Sequence, residues 1–171
     1  DGSSRLAGRV LDKDTLATVR AELARQMPEL HLDSSQVQVL RGQQKQTYTV
    51  CTNLMNLKGE PAPGSETMSQ MRAGTQVEYL LEQGKWAFVR QQDGYLGWAY
   101  ISYLSTERAE SGSAPPAASH MVGDPVALLR SEPAENSPLV GRLVAGTGVT
   151  PGEEQGGWVH VALSGYRLSL I

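Results

Sequence analysis

The sequence predicts a mainly β fold in which two small β-barrels stand in tandem after a short β-α-β element. The first observation is an internal repeat: residues 57–89 align with residues 129–161 at a constant separation of 72 positions, and fourteen of the thirty-three aligned positions are identical. A repeat of this kind indicates one structural unit built twice. The second observation is the content of eighteen glycines and nine prolines, which favours short strands and tight turns over long helices.

Residues 1–44 are predicted to form the small α/β element. Asp14 is placed as the N-cap of a helix that ends at Pro28. The helix carries an apolar stripe at helical spacing: Leu16, Val19, Leu23 and Met27. Strands are expected around Val10 and around Val37 and Val39. About forty residues cannot bury a core of their own, and the pattern resembles half of a BON domain, a family of envelope-associated modules.

Residues 45–105 are predicted to form the first barrel. Alternation from Tyr48 to Leu57 indicates an opening strand, which includes the single cysteine, Cys51. Short β-rich runs follow, joined by Gly-containing pairs at hairpin spacing: Gln76–Glu82, Lys85–Arg90 and Tyr95–Tyr100. We expect these strands to close on themselves, because an open sheet of this size would leave its edges unpaired.

Residues 106–120 are rich in Ser, Ala, Pro and Gly, and they are predicted to be an exposed linker. Residues 121–171 are predicted to form the second barrel. Tyr79-Leu80-Leu81 of the first copy becomes Pro151-Gly152-Glu153 in the second, a change that is expected to shorten the middle strand. The second copy also has no counterpart of Trp98.

Composition and spacing argue against several functions. The net charge of −3 provides no basic field for nucleic acid, and no apolar run is long enough for a transmembrane segment. His31, His120 and His160 show no metal-ligand spacing. Cys51 lies in strand-like sequence, whereas a catalytic cysteine needs a nearby base and a recognisable signature. We therefore expect no cofactor, no metal and no catalysis.

Four motifs of the first barrel occur in the order that is typical of one bacterial domain family. They are Met55-Asn56-Leu57-Lys58-Gly59-Glu60-Pro61, Met71-Arg72-Ala73-Gly74-Thr75-Gln76-Val77, Gly84-Lys85-Trp86-Ala87-Phe88-Val89 and Gly94-Tyr95-Leu96-Gly97-Trp98. The second barrel keeps the first three in outline and lacks the closing Gly-Trp. By these motifs, the chain resembles a tandem of bacterial SH3-like (SH3b) domains of cell-envelope proteins.

The resemblance implies a periplasmic or extracellular location and non-catalytic binding to a peptidoglycan fragment or to an envelope protein. The chain begins at Asp1 rather than at Met, which fits the removal of a signal segment. The fold does not identify the ligand, because the same barrel hosts many partners.

Aromatic side chains form the predicted ligand surface, since amphipathic rings suit contacts with sugars and peptides. The candidates are Trp86, Tyr95, Trp98, Tyr100, Tyr103, Trp158 and Tyr166. Trp86 and Trp158 occupy the same position of the repeat, so a structural role at one end of each barrel is the competing interpretation. Because only the first copy carries Trp98, we expect the first barrel to dominate binding.

Two alternative functions remain open on the sequence. SH3-like barrels often accompany NlpC-type cysteine peptidases, so this chain could shape the substrate cleft of a cell-wall peptidase whose catalytic domain follows Ile171. The chain could also be a protein–protein adaptor in an envelope or secretion assembly. A cysteine–histidine domain encoded downstream would favour the first alternative, and failure to bind peptidoglycan would favour the second.

Overall fold

The computed structural model describes residues 3–41, 46–105 and 118–163. The chain divides into two compact units, Asp1–Lys45 and Gln46–Ile171. The predicted fold class is confirmed: the fold is mainly β, with a β-α-β start followed by antiparallel sheets. Most of the predicted linker, residues 106–117, and the predicted end of the second barrel, residues 164–171, lie outside the described residues.

The first unit consists of strand β1 (Ser3–Val10), helix α1 (Lys13–Gln26) and strand β2 (His31–Val39). β1 and β2 are parallel neighbours. The prediction that Asp14 caps the helix is wrong: the N-cap is Asp12, whose carboxylate accepts the backbone N–H of Thr15 at 2.9 Å. Asp14 lies in the first turn, where the helix dipole favours a negative charge.

None of the described residues of the first unit is buried. The helical stripe of Leu16, Val19 and Leu23 is only half-buried, and Met27, the C-cap, is 42% exposed. One helix on a two-stranded sheet supplies too few apolar groups to enclose a side chain completely. The unit therefore has a packed face without a core.

The second unit begins with the first β module, which we define as Gln46–Ser105. Its strands are β3 (Gln46–Val50), β4 (Leu54–Lys58), β5 (Thr67–Arg72), β6 (Gln76–Gln83), β7 (Trp86–Gln91), β8 (Leu96–Tyr100) and β9 (Leu104–Ser105). A 3-10 turn, Ile101–Tyr103, joins β8 to β9. The strands form one antiparallel sheet in the order β5-β4-β8-β7-β6-β3-β9.

The predicted opening strand from Tyr48 to Leu57 is two strands, β3 and β4, with a break at residues 51–53. Cys51 therefore lies in a turn rather than in a strand, and its backbone N–H donates to the carbonyl of Tyr103 at 2.8 Å. The break occurs because β3 pairs with β6 whereas β4 pairs with β5. Alternation of apolar residues continues across the turn, so it gave no signal of the break.

The core of the first β module consists of apolar side chains from seven strands and their turns. The buried members are Val50, Met55, Leu57, Met71, Val77, Ala87, Val89, Ala99 and Leu104. Gly97 of β8 allows a close approach to β4, because a Cβ there would lie 2.6 Å from Leu57 Cγ and 2.9 Å from the carbonyl oxygen of Lys58. The glycine of the Gly-Trp motif is thus required by packing between strands.

The second β module, which we define as residues 118–163, contains five strands. They are β10 (His120–Met121), β11 (Val126–Arg130), β12 (Leu139–Val144), β13 (Gly148–Gln155) and β14 (Trp158–Ala162). Within the described residues they form an antiparallel β10-β13-β14 sheet and an antiparallel β11-β12 pair.

Strands of the first β module recur in the second at a separation of 72 positions. β4, β5 and β6 have the lengths and relative positions of β11, β12 and β13. The strand registers also agree, since Met55 pairs with Met71 as Ala127 pairs with Leu143. The prediction that β13 is shortened is wrong, because it has eight residues like β6. The sequence change instead interrupts pairing with β14 between Pro151 and Glu154.

The two β modules share a buried cluster. Leu129, Leu143, Val149 and Leu163 of the second module pack with Ala73 of the first, which is 4% exposed. Beside Ala73, the guanidinium of Arg72 donates to the carbonyl of Ala145 at 3.3 Å. The turn after β5 therefore packs against the second module.

Candidate binding surface

Three aromatic side chains of the first β module form a continuous cluster, which we call the aromatic trio: Trp86, Tyr100 and Tyr103. The ring centroids of Trp86 and Tyr100 are 5.6 Å apart, and those of Tyr100 and Tyr103 are 5.4 Å apart. Both pairs meet edge to face, an arrangement that aromatic quadrupoles favour. Trp86 and Tyr100 are half-buried, whereas Tyr103 is 46% exposed. The trio thus presents an exposed ring on a packed base.

Backbone hydrogen bonds hold the aromatic trio in place. Trp86 begins β7 and lies opposite Tyr100, the last residue of β8. The N–H of Ile101 donates to the carbonyl of Lys85 at 3.0 Å, and the carbonyl of Tyr103 accepts the N–H of Cys51 at 2.8 Å. The 3-10 turn is therefore tied to β7 and to the β3–β4 turn, so a ligand would meet a preformed surface.

Trp98 was predicted to contact ligand, but it is only 5% exposed. It lies opposite Phe88 across the β7–β8 hairpin, with ring centroids 5.1 Å apart and a tilt of 50°. A ring buried to this extent cannot stack on a ligand, so Trp98 has a packing role. The sequence-based interpretation overlooked Phe88, because its contact with Trp98 depends on a cross-strand register that the sequence does not fix.

Tyr95 does not join the aromatic trio, although it is 54% exposed. It follows Gly94, whose φ of +98° allows the β7–β8 turn, and its carbonyl accepts the N–H of Gln91 at 2.8 Å. This turn is at the end of the hairpin opposite Trp86. At about 3.3 Å per residue, the length of β7 separates the two by roughly 16 Å.

Trp158 begins β14 and lies opposite Gln155, as Trp86 lies opposite Gln83. It is half-buried, which matches the burial of Trp86. No other aromatic ring contacts Trp158 within residues 3–41, 46–105 and 118–163. Tyr166, the remaining candidate, lies outside the described residues.

Tyr48 and Tyr79 form a second, stacked aromatic pair in the first β module. The rings of Tyr48 and Tyr79 stack with centroids 4.6 Å apart, and the Tyr79 hydroxyl donates to Glu82 Oε2 at 2.7 Å. Burial, followed by this hydrogen bond, raises the pKa of Tyr79 well above its usual value. Both tyrosines are half-buried. The pair was not predicted, because Tyr48 and Tyr79 are diagonal neighbours on β3 and β6, whose register the sequence does not reveal.

The electrostatics around the aromatic trio favour non-covalent contacts. Burial raises the pKa of the neighbouring Cys51 thiol, so it is a weak nucleophile at neutral pH. In the part of the chain that the structure describes, no group of three His, Cys, Asp or Glu side chains is placed to hold a metal ion.

Among the described residues, no helix has the length and apolar character needed to cross a bilayer.

One part of the chain matches a known domain family. Residues 52–105 match the family model described as "Bacterial SH3 domain". The match spans β4 to β9 and so includes the whole aromatic trio. No curated protein matches the chain significantly. Residues 52–105 are therefore similar to a bacterial SH3 domain, and the matched stretch begins just after β3.

Proposed function

We propose that this chain is a non-catalytic binding or scaffolding module of the bacterial cell envelope, located in the periplasm or outside the cell. Its contact surface is the aromatic trio. The observation that carries the proposal is the placement of an exposed ring, Tyr103, on a fixed base of Trp86 and Tyr100 within the bacterial SH3 match. Such domains are commonly binding modules of cell-wall proteins.

The proposed ligand is a peptidoglycan fragment. Trp86 and the two tyrosines offer apolar ring faces with polar tips, which suit sugar faces and extended peptides alike. Tyrosine side chains lose little conformational entropy on binding because they have only two rotatable torsions. The edge-to-face contacts of the trio reduce that loss further.

The second β module is proposed to be a further copy of the same domain. The proposed organisation is an α/β element at 1–44, barrels at 45–105 and 121–171, and a linker at 106–120. The repeated turn after β4 supports this: Ser65 Oγ donates to the carbonyl of Glu60 at 3.0 Å, and Ser137 Oγ donates to that of Glu132 at 2.9 Å. Two linked copies would strengthen weak binding by effective concentration.

A protein partner is the second candidate, and one surface favours it. On the β11–β12 pair, four large apolar side chains are 40–51% exposed: Val126, Leu128, Leu139 and Val140. At the position of Leu128 the first module has Asn56, which accepts a hydrogen bond from Gln70 at 2.9 Å. Several exposed large apolar side chains on one strand pair are typical of a protein interaction surface.

Cosedimentation of the full chain with purified, protein-free peptidoglycan tests the proposal. We expect saturable binding that is weakened by about tenfold in Tyr103→Ala, with the fold unchanged by circular dichroism. Leu128→Asn is the matched variant for the adaptor function, because it installs the residue of the first module at the same position. Absence of pelleting, together with capture of an envelope protein that Leu128→Asn abolishes, would contradict peptidoglycan binding and support the adaptor.

A further inference from the structure

The two β modules enclose a cleft with a volume of about 430 Å³. One wall is the β3–β4 turn of the first module, Cys51–Asn53, and the other is the face of β12 from Leu139 to Leu143. This volume falls within the range of roughly 300–1,000 Å³ that is usual for small-ligand sites, which occur preferentially between domains. The cleft overlaps the surface that carries the adaptor hypothesis only at its rim, where Leu139 and Val140 belong to both.

The two modules that line the cleft are held together by contacts of the turn after β5. Ala73 is buried in the core of the second module, and Arg72 donates to the carbonyl of Ala145. A side chain at Gly146 would overlap the Arg72 guanidinium, so this contact depends on a glycine. The cleft is thus built by close packing of two folded modules.

The lining of the cleft has three chemically distinct parts. Leu129, Leu143 and Leu163 form a buried apolar floor. Thr52 and Asn53 supply a hydroxyl and a side-chain amide on one wall. Asn53 Oδ1 already accepts the N–H of Leu54 at 2.9 Å and the Thr52 hydroxyl at 3.3 Å. The Asn53 amide nitrogen can therefore donate to a ligand, and the Thr52 oxygen can accept from it.

Arg142 gives the cleft its charge. Of the ten described residues that line it, Arg142 is the only cation and none is acidic. Arg142 has no salt bridge to any described residue. Arg142 is exposed on β12, so its guanidinium suits a carboxylate bound at the rim of the cleft, with which it can form paired, charge-assisted hydrogen bonds.

From this lining we propose that the cleft binds the carboxyl-terminal end of a peptide whose last side chain is aliphatic. The terminal carboxylate pairs with Arg142, the last peptide group pairs with the Asn53 amide and the Thr52 hydroxyl, and the aliphatic side chain covers the leucine floor. A sugar fits less well, because none of the described residues that line the cleft carries an aromatic ring. This proposal rests on the proposed binding function and adds a ligand class to it, at a location distinct from the aromatic trio.

The single cysteine provides a direct assay, because Cys51 lines the cleft and the chain has no other thiol. The rate of Cys51 alkylation by iodoacetamide is measured on the full chain with increasing N-acetyl-alanyl-leucine, as the free acid and as the carboxyl-terminal amide. We expect saturable protection by the free acid, and protection by the amide that is weaker by about two- to fivefold, since an ion pair with an exposed guanidinium is lost.

Two variants exploit the internal repeat. Arg142→Gln installs the residue that the first module carries at Gln70, and it is expected to abolish the preference for the free acid. Leu139→Thr installs the residue of Thr67, and it is expected to weaken protection by both peptides. Arg20→Gln, on the exposed face of α1, is the control and leaves protection unchanged.

The proposal is overturned if neither peptide protects Cys51 at millimolar concentration, if the free acid and the amide protect equally, or if Arg142→Gln retains the preference. The alkylation results do not depend on peptidoglycan cosedimentation. The proposal for the cleft and the proposal for the aromatic trio can therefore be refuted independently. Loss of cosedimentation in Tyr103→Ala with unchanged peptide protection would support two independent sites.

Discussion

Replacing Gly97 with alanine should destabilise the second unit through a steric clash in the core of the first β module. The new Cβ would lie 2.6 Å from Leu57 Cγ, and Leu57 is fully buried. It would also lie 2.9 Å from the carbonyl oxygen of Lys58, a backbone atom that cannot rotate away. Overpacking of a core typically costs about 1–3 kcal/mol. Because β8 must move away from β4, we expect about 3 kcal/mol.

Urea unfolding monitored by far-UV circular dichroism measures this cost. At about 4 °C per kcal/mol for a domain of this size, the Tm should fall by roughly 12 °C. Gly64→Ala is the matched control, since a Cβ there meets nothing within 4 Å. The control should be neutral or stabilising by up to about 1 kcal/mol, because alanine restricts the unfolded chain. If Gly97→Ala were as stable as Gly64→Ala, the close approach of β4 and β8 would be wrong.

Two further predictions concern buried polar groups. Gln91 is 8% exposed, and its side-chain nitrogen has no hydrogen-bond partner among the described residues. Gln91→Leu installs the residue found at the equivalent position, Leu163, and should raise the free energy of unfolding in urea by about 1 kcal/mol. A decrease of more than about 1 kcal/mol would instead show that the Gln91 side chain has a hydrogen-bond partner. Burial raises the pKa of Cys51, so its alkylation should accelerate only above the pH at which free cysteine reacts. The free energy of unfolding should fall as the pH rises past the ordinary thiol pKa, because the thiol of the unfolded chain loses its proton at a lower pH than that of the folded chain. Reaction rates matching free cysteine at every pH would contradict that burial.

Periodicity and repetition predicted much of the fold from the sequence. The repeat at 72 positions predicted equivalent strands, and the structure gives β4, β5 and β6 the same lengths as β11, β12 and β13. The glycine-containing turns also appear where hairpin spacing predicts them, as at Gly84 with φ of +61°. These features are local, so a single sequence contains the information that specifies them.

Features that depend on register and tertiary contact could not be predicted. The helix cap at Asp12 rather than Asp14 reflects a choice between two acidic residues that both suit an N-cap. Burial of Trp98 depends on its pairing with Phe88 across β7 and β8, which the sequence does not fix. The turn at Cys51 arises because β3 and β4 have different partners.

The sequence predicted that aromatic side chains form the contact surface, but it did not predict which of them lie together. The grouping of Trp86 with Tyr100 and Tyr103 depends on the register of one hairpin and on the 3-10 turn that follows it. The cleft between the modules had no sequence signal, since its two walls are about ninety positions apart in the chain.

The most direct test of the proposed binding surface compares two exposed tyrosines at opposite ends of one hairpin. Tyr103 belongs to the aromatic trio and Tyr95 does not, although both are about half exposed. In peptidoglycan cosedimentation of the full chain, Tyr103→Ala should weaken binding by about tenfold, on the scale of one lost aromatic contact of 1–3 kcal/mol. Tyr95→Ala should leave binding unchanged. Equal losses in both variants, or a loss confined to Tyr95→Ala, would contradict the assignment of the binding surface to the trio.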